Sequence, residues 1–376
     1  MPGTRVRVLS DCVEWATTSI QKIYWLAGMA GTGKSSIAIT LCRMLRGTPE
    51  VFFGGGFFCS RSFGSIGRMN ARCILPTLAL LLADSSPDFA AALACELDKA
   101  NLVALKPIHE QMGLLLLQPL SALVRPHPPI IFVIDALDEI SDEGELAQLL
   151  KMLADFQSDV PVKFILTSRP EMHIRRSTII DREHSTILQL HTFDPEDVQH
   201  DIHTYISRTL TDSAKESIWY TGGQVDALVR LSNGLFIFAS IALRYILDPE
   251  EDDDRSDRLV RVVSAAAECT AITVALDAIY EPVVTAAFKP SNIDAEELKP
   301  LKSILACILT APQPLTVQAL ADLTAFKPSM LRRSLQRLHP VVYIPEGDDV
   351  PGLCAVHASF SEYMFNRASD HIRIPQ

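Results

Sequence analysis

The octapeptide Gly28-Met-Ala-Gly31-Thr-Gly33-Lys34-Ser35 fits the pattern G-x-x-x-x-G-K-[ST] and is the most specific signal in the chain. It follows an apolar segment, Ile23 to Ala27, and precedes a helix-like segment, Ser35 to Arg46. In that context the glycines let backbone N–H groups turn toward phosphate oxygens, and the N-terminus of the following helix adds the positive end of its dipole. The pattern therefore predicts a phosphate-binding loop.

Each polar residue of the loop has an expected role. Lys34 supplies positive charge to the β and γ phosphates of a nucleotide, and the Ser35 hydroxyl is a ligand for Mg²⁺. The residues expected to bind the nucleotide here are Gly28, Gly31, Thr32, Gly33, Lys34, Ser35 and Ser36.

A buried acidic residue is predicted at the end of a second apolar segment, Ile130-Ile-Phe-Val-Ile-Asp135. A carboxylate at the end of an apolar strand is costly unless a cation accompanies it, so Asp135 is the second candidate ligand for Mg²⁺, with Ser35. Asp138 and Glu139 follow. Either one of them orients or deprotonates an attacking water, or both cap the helix after Ser141.

An arginine completes the candidate catalytic set. Lys163-Phe-Ile-Leu-Thr-Ser168-Arg169-Pro170 has the pattern of another strand that ends in polar residues. Parallel strands end at the same edge of a sheet, so Arg169 is expected beside Asp135 and within reach of the γ phosphate. The predicted catalytic residues are Lys34, Asp135, Asp138, Glu139 and Arg169.

The segments around these motifs predict an α/β fold. From about residue 20 to residue 170, short apolar runs alternate with helical patterns, which favours a parallel sheet with flanking helices. The predicted strands are Ile23 to Ala27, Gly55 to Cys59, Ile130 to Ile134 and Val162 to Thr167. The predicted helices are Ser35 to Arg46, Ala71 to Ala83, Ile108 to Val124 and Gly144 to Phe156.

Helices dominate the predicted structure after residue 190. Asp194-Pro195-Glu196-Asp197 is a helix-start signal. The charge run Asp248 to Arg258 is predicted to be a solvated linker. From residue 296 the patterns predict three helices, a hairpin and a last helix, which is the order of a winged helix-turn-helix. The expected domains are an NTPase domain at 1–185, a helical domain at 186–250, an acidic linker with a connecting helix at 251–294, and a winged helix at 295–376.

Composition excludes several classes of protein. The 376 residues carry 34 Lys and Arg against 45 Asp and Glu, a net charge of −11, which argues against a protein that coats nucleic acid or anionic lipid. The 8 cysteines form no CxxC pair and are typical of a reducing compartment. We find neither a signal-peptide pattern nor an apolar run long enough to cross a membrane, so the expected location is the cytoplasm.

Taken together, the motifs resemble those of NACHT-domain NTPases, members of the STAND class found in NOD-like receptors and fungal incompatibility proteins. The shared segments are Pro2-Gly-Thr-Arg5, Ile23 to Ser35, Phe57 to Arg61, Leu75 to Leu78, Gln118 to Leu120, Asp135-Ala-Leu-Asp-Glu139 and Thr167-Ser-Arg-Pro170. The resemblance implies ATP or ADP with Mg²⁺ as the ligands, and it implies that Arg169 senses the γ phosphate.

Two C-terminal elements extend the resemblance. Gly234-Leu-Phe-Ile-Phe-Ala239 occupies the place of a helical-domain motif, with Phe236 where many members have a proline against the adenine. His357-Ala-Ser-Phe360 resembles the winged-helix H-x-S-F element, which implies that His357 approaches the β phosphate of ADP and holds a closed state. The family's effector domain and repeat array have no counterpart in these residues.

The leading hypothesis is a signalling switch that binds ATP or ADP, hydrolyses ATP slowly, and opens and self-associates on activation. One alternative is a nucleotide-binding scaffold without turnover. Another is a DNA-binding regulator that uses Arg332, Arg333 and Arg337 of the predicted winged helix. Residues 295–376 contain eight basic and eight acidic residues, however, a balance of zero that argues against DNA binding.

Overall fold

The computed structural model describes residues 3–374 in two compact units. The N-terminal unit runs from Arg5 to Phe193, and the C-terminal unit begins at Asp194 and also contains Gly3 and Thr4. The residues outside the description are 1–2, 61–65, 99–105, 124–126, 172–173, 175–184, 215–218, 249–253, 267–271, 289–294, 312, 337, 351, 369–372 and 375–376.

A parallel five-stranded sheet forms the centre of the N-terminal unit, as the sequence predicts. Its strands are β1 (Ile23–Ala27), β2 (Phe52–Phe58), β3 (Ile130–Asp135), β4 (Val162–Ser168) and β5 (Ser185–Gln189). Their order is β2-β3-β4-β1-β5. Strand β5 is absent from the prediction. The carboxyl ends of β1, β3 and β4 lie together, because Ala27 is in register with Ser168 and Ile134 is in register with Leu166.

Helices cover both faces of this sheet. They are α1 (Val6–Thr18), α2 (Lys34–Arg46), α3 (Ile74–Ser85), α4 (Pro87–Leu97), α5 (Ile108–Met112), α6 (Gln118–Ser121) and α7 (Glu143–Ala154). Alternate residues of each strand point to opposite faces, so β3 contributes Phe132 to one core and Val133 to the other. The helix predicted over 108–124 is interrupted by a π-helical turn, Gly113–Leu117.

Helix α1, which the sequence analysis did not predict, is attached to the unit at both ends. At its start, Arg5 is buried and donates from Nη2 to the carbonyl oxygen of Thr32 at 3.2 Å. At its end, the Nζ of Lys163 donates to the carbonyl oxygens of Trp15 (3.3 Å) and Ala16 (2.7 Å). Burial lowers the pKa of Lys163.

The C-terminal unit is mostly helical. Its helices are α8 (Pro195–Ser213), α9 (Gly222–Ser232), α10 (Phe236–Ile246), α11 (Arg255–Ala266), α12 (Ile272–Ala287), α13 (Ala295–Thr310), α14 (Val317–Thr324), α15 (Pro328–Gln336) and α16 (Ala358–Asn366). Two short antiparallel strands, β6 (Val342–Tyr343) and β7 (Cys354–Ala355), precede α16. The last elements follow the predicted order, and their assignment to a winged helix stays a prediction.

The prediction of a solvated linker at the charge run is wrong where the structure describes it. Helix α11 begins at Arg255, inside the run, and Asp248 and Arg258 are buried with exposed fractions of 6% and 2%. The apolar residues Leu259 and Val262 bury one face of α11 and draw the neighbouring charged residue inward. Residues 249–253 of the run lie outside the description. Among the described residues, no helix is long and apolar enough to cross a membrane.

Candidate functional site

The predicted phosphate-binding loop joins the end of β1 to the start of α2. Gly31 and Gly33 have φ values of 77° and 91°, in the left-handed region that side chains rarely adopt, so glycine is required at both turns. The Nζ of Lys34 donates to the carbonyl oxygens of Gly28 (2.7 Å) and Met29 (3.0 Å). The loop thus folds around the lysine ammonium. Its carbonyl oxygens accept the hydrogen bonds that Lys34 would otherwise donate to a bound phosphate.

Asp135, at the end of β3, is held by a threonine hydroxyl group. It is 2% exposed, and its carboxylate accepts a hydrogen bond from Thr167. Thr167 in turn accepts from the backbone N–H of Ala136 at 3.0 Å. Burial raises the pKa of Asp135, and the hydroxyl groups of Ser35 and Thr167, together with Lys34, oppose that shift. The hydroxyl of Ser35 is therefore near enough to the Asp135 carboxylate to act on it, as two ligands of one cation must be.

Asp138 and Arg169 form a closed pair. One oxygen of Asp138 accepts from the backbone N–H of Arg169 at 2.8 Å, and the other lies 3.1 Å from the guanidinium Nε. Asp138 is buried, whereas Glu139 is only half-buried. Both acids follow Ala136, which adopts a left-handed conformation with φ 57° and turns the chain after β3. The two carboxylates are adjacent in sequence but have different surroundings.

The helix after Ser141 has a different cap from the one considered in the sequence analysis. The side chain of Asp142 accepts from the backbone N–H groups of Gly144 and Glu145, both at 2.9 Å, at the start of α7. Asp142 therefore satisfies the helix start, and the alternative in which Asp138 and Glu139 act as its caps is wrong.

The charges of the loop and the strand ends act on one another. Burial lowers the pKa of Lys34; Asp138, Asp135 and Glu139 oppose this shift, and Arg169 adds to it. Two cations and three acids thus converge on the carboxyl edge of the sheet. A polyanion that carries its own divalent cation matches this mixture of charges.

The sequence analysis did not identify two residues of the site, Thr167 and Arg5. Thr167 orients Asp135, and the register of β4 against β3 is the signal that identifies it. Arg5 supports the carbonyl of Thr32 in the loop and adopts a left-handed conformation with φ 54°. Only the motif resemblance at Pro2-Gly-Thr-Arg5 pointed to this segment, and Pro2 lies outside the described residues.

His357 belongs to the C-terminal unit, where it caps α16. Its Nδ1 accepts from the backbone N–H of Ser359 at 3.2 Å and lies 2.7 Å from the Ser359 hydroxyl. The arginines of the DNA-binding alternative lie in the same unit. The guanidinium of Arg332 donates hydrogen bonds to the carboxylate of Asp348 (2.6 Å) and to two backbone carbonyl oxygens. Arg333 is exposed, and Arg337 lies outside the description.

Residues 4–169 match the profile of the family described as Nephrocystin 3, N-terminal. That segment contains the loop, the acidic strand end and Arg169 in the arrangement above. This segment, called the NACHT-like module below, is therefore similar to NACHT-like P-loop NTPases. The curated protein sequences contain no match to the chain.

Several solved structures are similar to the whole chain. A STAND protein with a tetratricopeptide repeat sensor from Pyrococcus horikoshii is 15% identical with a TM-score of 0.44, over 97% of this chain and 42% of that one. Cdc6p from Pyrobaculum aerophilum is 12% identical with a TM-score of 0.47, over 95% and 93%. The Aeropyrum pernix Orc1 protein, solved with DNA, is 13% identical with a TM-score of 0.41, over 95% and 91%. The chain thus spans less than half of the Pyrococcus horikoshii protein.

The donor atoms of the NACHT-like module fit Mg²⁺. A hydroxyl and a carboxylate oxygen are the ligands that this cation takes from proteins when phosphates supply others. Asp135 is a buried carboxylate whose charged form burial disfavours, and a bound cation offsets that cost.

Proposed function

We propose that the chain is an ATP- and ADP-binding switch that hydrolyses ATP slowly with Mg²⁺. The observation that carries this proposal is the meeting of Lys34, Asp135 and Arg169 at one edge of the sheet. The polar groups of Lys34 and Asp135 contact protein atoms that a nucleotide and its cation would replace. The expectation that the base is adenine and not guanine rests on the resemblance to NACHT-domain NTPases.

Each residue of the site has a role in binding. The backbone of the loop surrounds the phosphates, and Lys34 moves from the carbonyl oxygens of Gly28 and Met29 to the β and γ phosphates. Ser35 and Asp135 hold Mg²⁺, which neutralises phosphate charge when bound. Thr167 keeps the Asp135 carboxylate oriented toward Ser35. Gly31, Thr32, Gly33 and Ser36 complete the binding loop.

The two acids after β3 divide the catalytic work. Both oxygens of Asp138 are engaged by Arg169, so Asp138 holds that arginine in position to contact the γ phosphate. Glu139 is half-buried and lies in the field of Lys34, so it orients or deprotonates the attacking water. A switch needs only a difference in nucleotide affinity between two states, so slow turnover is sufficient for it.

The signalling part of the proposal rests on the H-x-S-F resemblance of His357. In this hypothesis His357 contacts the β phosphate of ADP and stabilises a closed state, and exchange for ATP releases it. The released state would then self-associate, in the manner of incompatibility and NOD-like receptor signalling.

The first experiment measures nucleotide on the purified chain. Wild-type protein, Lys34→Ala and the control Lys151→Ala, whose lysine is exposed on α7, are denatured and the released nucleotide is identified by chromatography. Binding of labelled ADP and ATP follows. We expect bound adenine nucleotide in wild type and in the control, with at least a tenfold loss of affinity in Lys34→Ala. Folded wild-type protein that binds neither nucleotide would overturn the proposal, and binding without turnover would leave a scaffold.

A further inference from the structure

A row of polar contacts joins α12 to α16 inside the C-terminal unit. The residues that take part on the side of α16 are Ser359, Tyr363 and the C-cap Arg367, which are spaced four apart and therefore lie on one face. The three pairs are Tyr280 with Ser359 (2.7 Å between hydroxyl oxygens), Glu281 with Tyr363, and Asp277 with Arg367 (3.0 Å). The Tyr280–Ser359 pair is buried, and a buried polar pair fixes the register of two helices more strictly than apolar contacts do. Ser359, in the first pair, lies two positions after His357, which is the N-cap of α16.

The backbone of α16 determines the state of the His357 ring. The N–H of Ser359 points at Nδ1 from 3.2 Å, so Nδ1 carries a lone pair and not a proton. In the neutral ring the proton then resides on Nε2. Because Nδ1 carries no proton, the Ser359 hydroxyl, 2.7 Å from it, donates to it and is left with lone pairs that can accept from another donor.

Tyr280 supplies that donor. Its side chain is fully buried, and its ring packs against Phe360 with centroids 5.2 Å apart. Burial raises the pKa of Tyr280 to about 12, so the hydroxyl keeps its proton at neutral pH. A buried phenol requires a partner, and among the described residues the oxygen of Ser359 fills that role. The hydrogen bonds therefore run in one direction, from Tyr280 to Ser359 to His357.

We propose that Tyr280 and Ser359 are positioning residues that hold His357 in the neutral tautomer with its proton on Nε2. The ring then offers a hydrogen-bond donor in a fixed direction. A donor of this kind suits a phosphate oxygen, and this part of the inference rests on the proposed contact between His357 and ADP. The tautomer itself does not depend on nucleotide.

The test is a measurement of the ring-nitrogen NMR shifts of His357 at neutral pH, assigned with His357→Gln. Wild type is expected to show an unprotonated Nδ1 and a protonated Nε2. Tyr280→Phe and Ser359→Ala remove one hydroxyl each and should mix in the other tautomer. Tyr363→Phe is the matched control, because it removes a buried hydroxyl from the same helix pair without touching His357. A thermal melt of each variant checks that it is folded.

The rate of ADP dissociation separates the two parts of the inference. We expect about a 3- to 10-fold increase in Tyr280→Phe and Ser359→Ala and no change in Tyr363→Phe, which corresponds to the loss of one neutral hydrogen bond. Shifted tautomers with unchanged ADP release would uphold the positioning role and refute the ADP contact. Unshifted tautomers in both variants, or a wild-type ring protonated on Nδ1, would overturn the inference.

Discussion

Asp138 and Glu139 are neighbouring carboxylates with different surroundings, and the proposed function gives them different roles: Asp138 positions Arg169, and Glu139 acts on the attacking water. Replacement of Glu139 by Gln keeps the shape of the side chain and removes its basicity. We expect ATP hydrolysis to fall about 100-fold or more while the affinity for ATP stays within about threefold. The measurement is phosphate release beside equilibrium binding, with Glu143→Gln in the first turn of α7 as the control.

Asp138→Asn distinguishes this assignment from its opposite. Loss of the charge weakens the hold on Arg169, so the preference for ATP over ADP should drop by about tenfold, the size of one charged hydrogen bond. In a double-mutant cycle with Arg169→Ala, the two losses should not add, because both act through the same pair. If Asp138→Asn instead abolished hydrolysis and left the ATP preference intact, Asp138 would be the base.

The sequence was enough to predict which residues form the candidate site. It was not enough to predict the different roles of Asp138 and Glu139. The spacing of glycines, lysine and serine constrains a loop locally, and parallel strands bring Asp135 and Arg169 to the same edge. The pairing of Asp138 with Arg169 depends instead on the left-handed turn at Ala136, which no pattern in the sequence signals. The role of Thr167 could not be predicted for a similar reason, since it depends on the register of β4 against β3.

Strand β2 contains three consecutive glycines, and Gly54 and Gly55 both pack too closely against neighbouring side chains to leave room for a Cβ. A Cβ on Gly54 would meet Phe132 at 2.6 Å and Ile130 at 2.8 Å on the neighbouring strand. Gly54→Ala should therefore lower the free energy of unfolding by about 1–3 kcal/mol. Gly223→Ala on α9 is the control, because no atom lies within 4 Å of its Cβ position. Urea midpoints measure both, and equal midpoints would contradict the close approach.

Two of the elements that were missed, β5 and α4, have a weak pattern. Strand β5 is only half-buried over most of its length, so its Ser-Thr-Ile-Leu-Gln sequence lacks the apolar run that marks β1, β3 and β4. Helix α4 begins with a Ser86 cap and Pro87, signals that the sequence analysis did not use. The buried strands were predicted because burial on both faces imposes an apolar run on the sequence, whereas α1 was missed although Val8, Cys12 and Trp15 recur on its buried face.

At the scale of the whole molecule, buried cysteines report on each unit separately. Cys12 lies in the N-terminal unit and Cys354 in the C-terminal unit, and burial raises their pKa values to about 12 and about 11. Both thiols should therefore react with iodoacetamide only when their unit opens, whereas the exposed Cys95 should react at once.

Nucleotide should change this pattern. MgADP at about 100 times its dissociation constant adds about 2.7 kcal/mol to the stability of the unit that binds it, which slows labelling of Cys12 about 100-fold in mild urea. Slower labelling of Cys354 as well would support the closed state proposed for His357. Mass spectrometry of the labelled peptides gives all three rates. Unchanged labelling of Cys12 would show that its unit does not bind the nucleotide.

The buried ammonium of Lys163 sets a limit on how far the chain can be trimmed. Its hydrogen-bond acceptors are the last carbonyl groups of α1, so a fragment that started after Thr18 would leave a cation in the interior without them. An uncompensated buried charge costs several kcal/mol, a large share of the stability of a domain. A stable version of the NACHT-like module must therefore retain Trp15 and Ala16, and because Arg5 is buried and bonded to the loop, a fusion partner or affinity tag belongs upstream of Arg5.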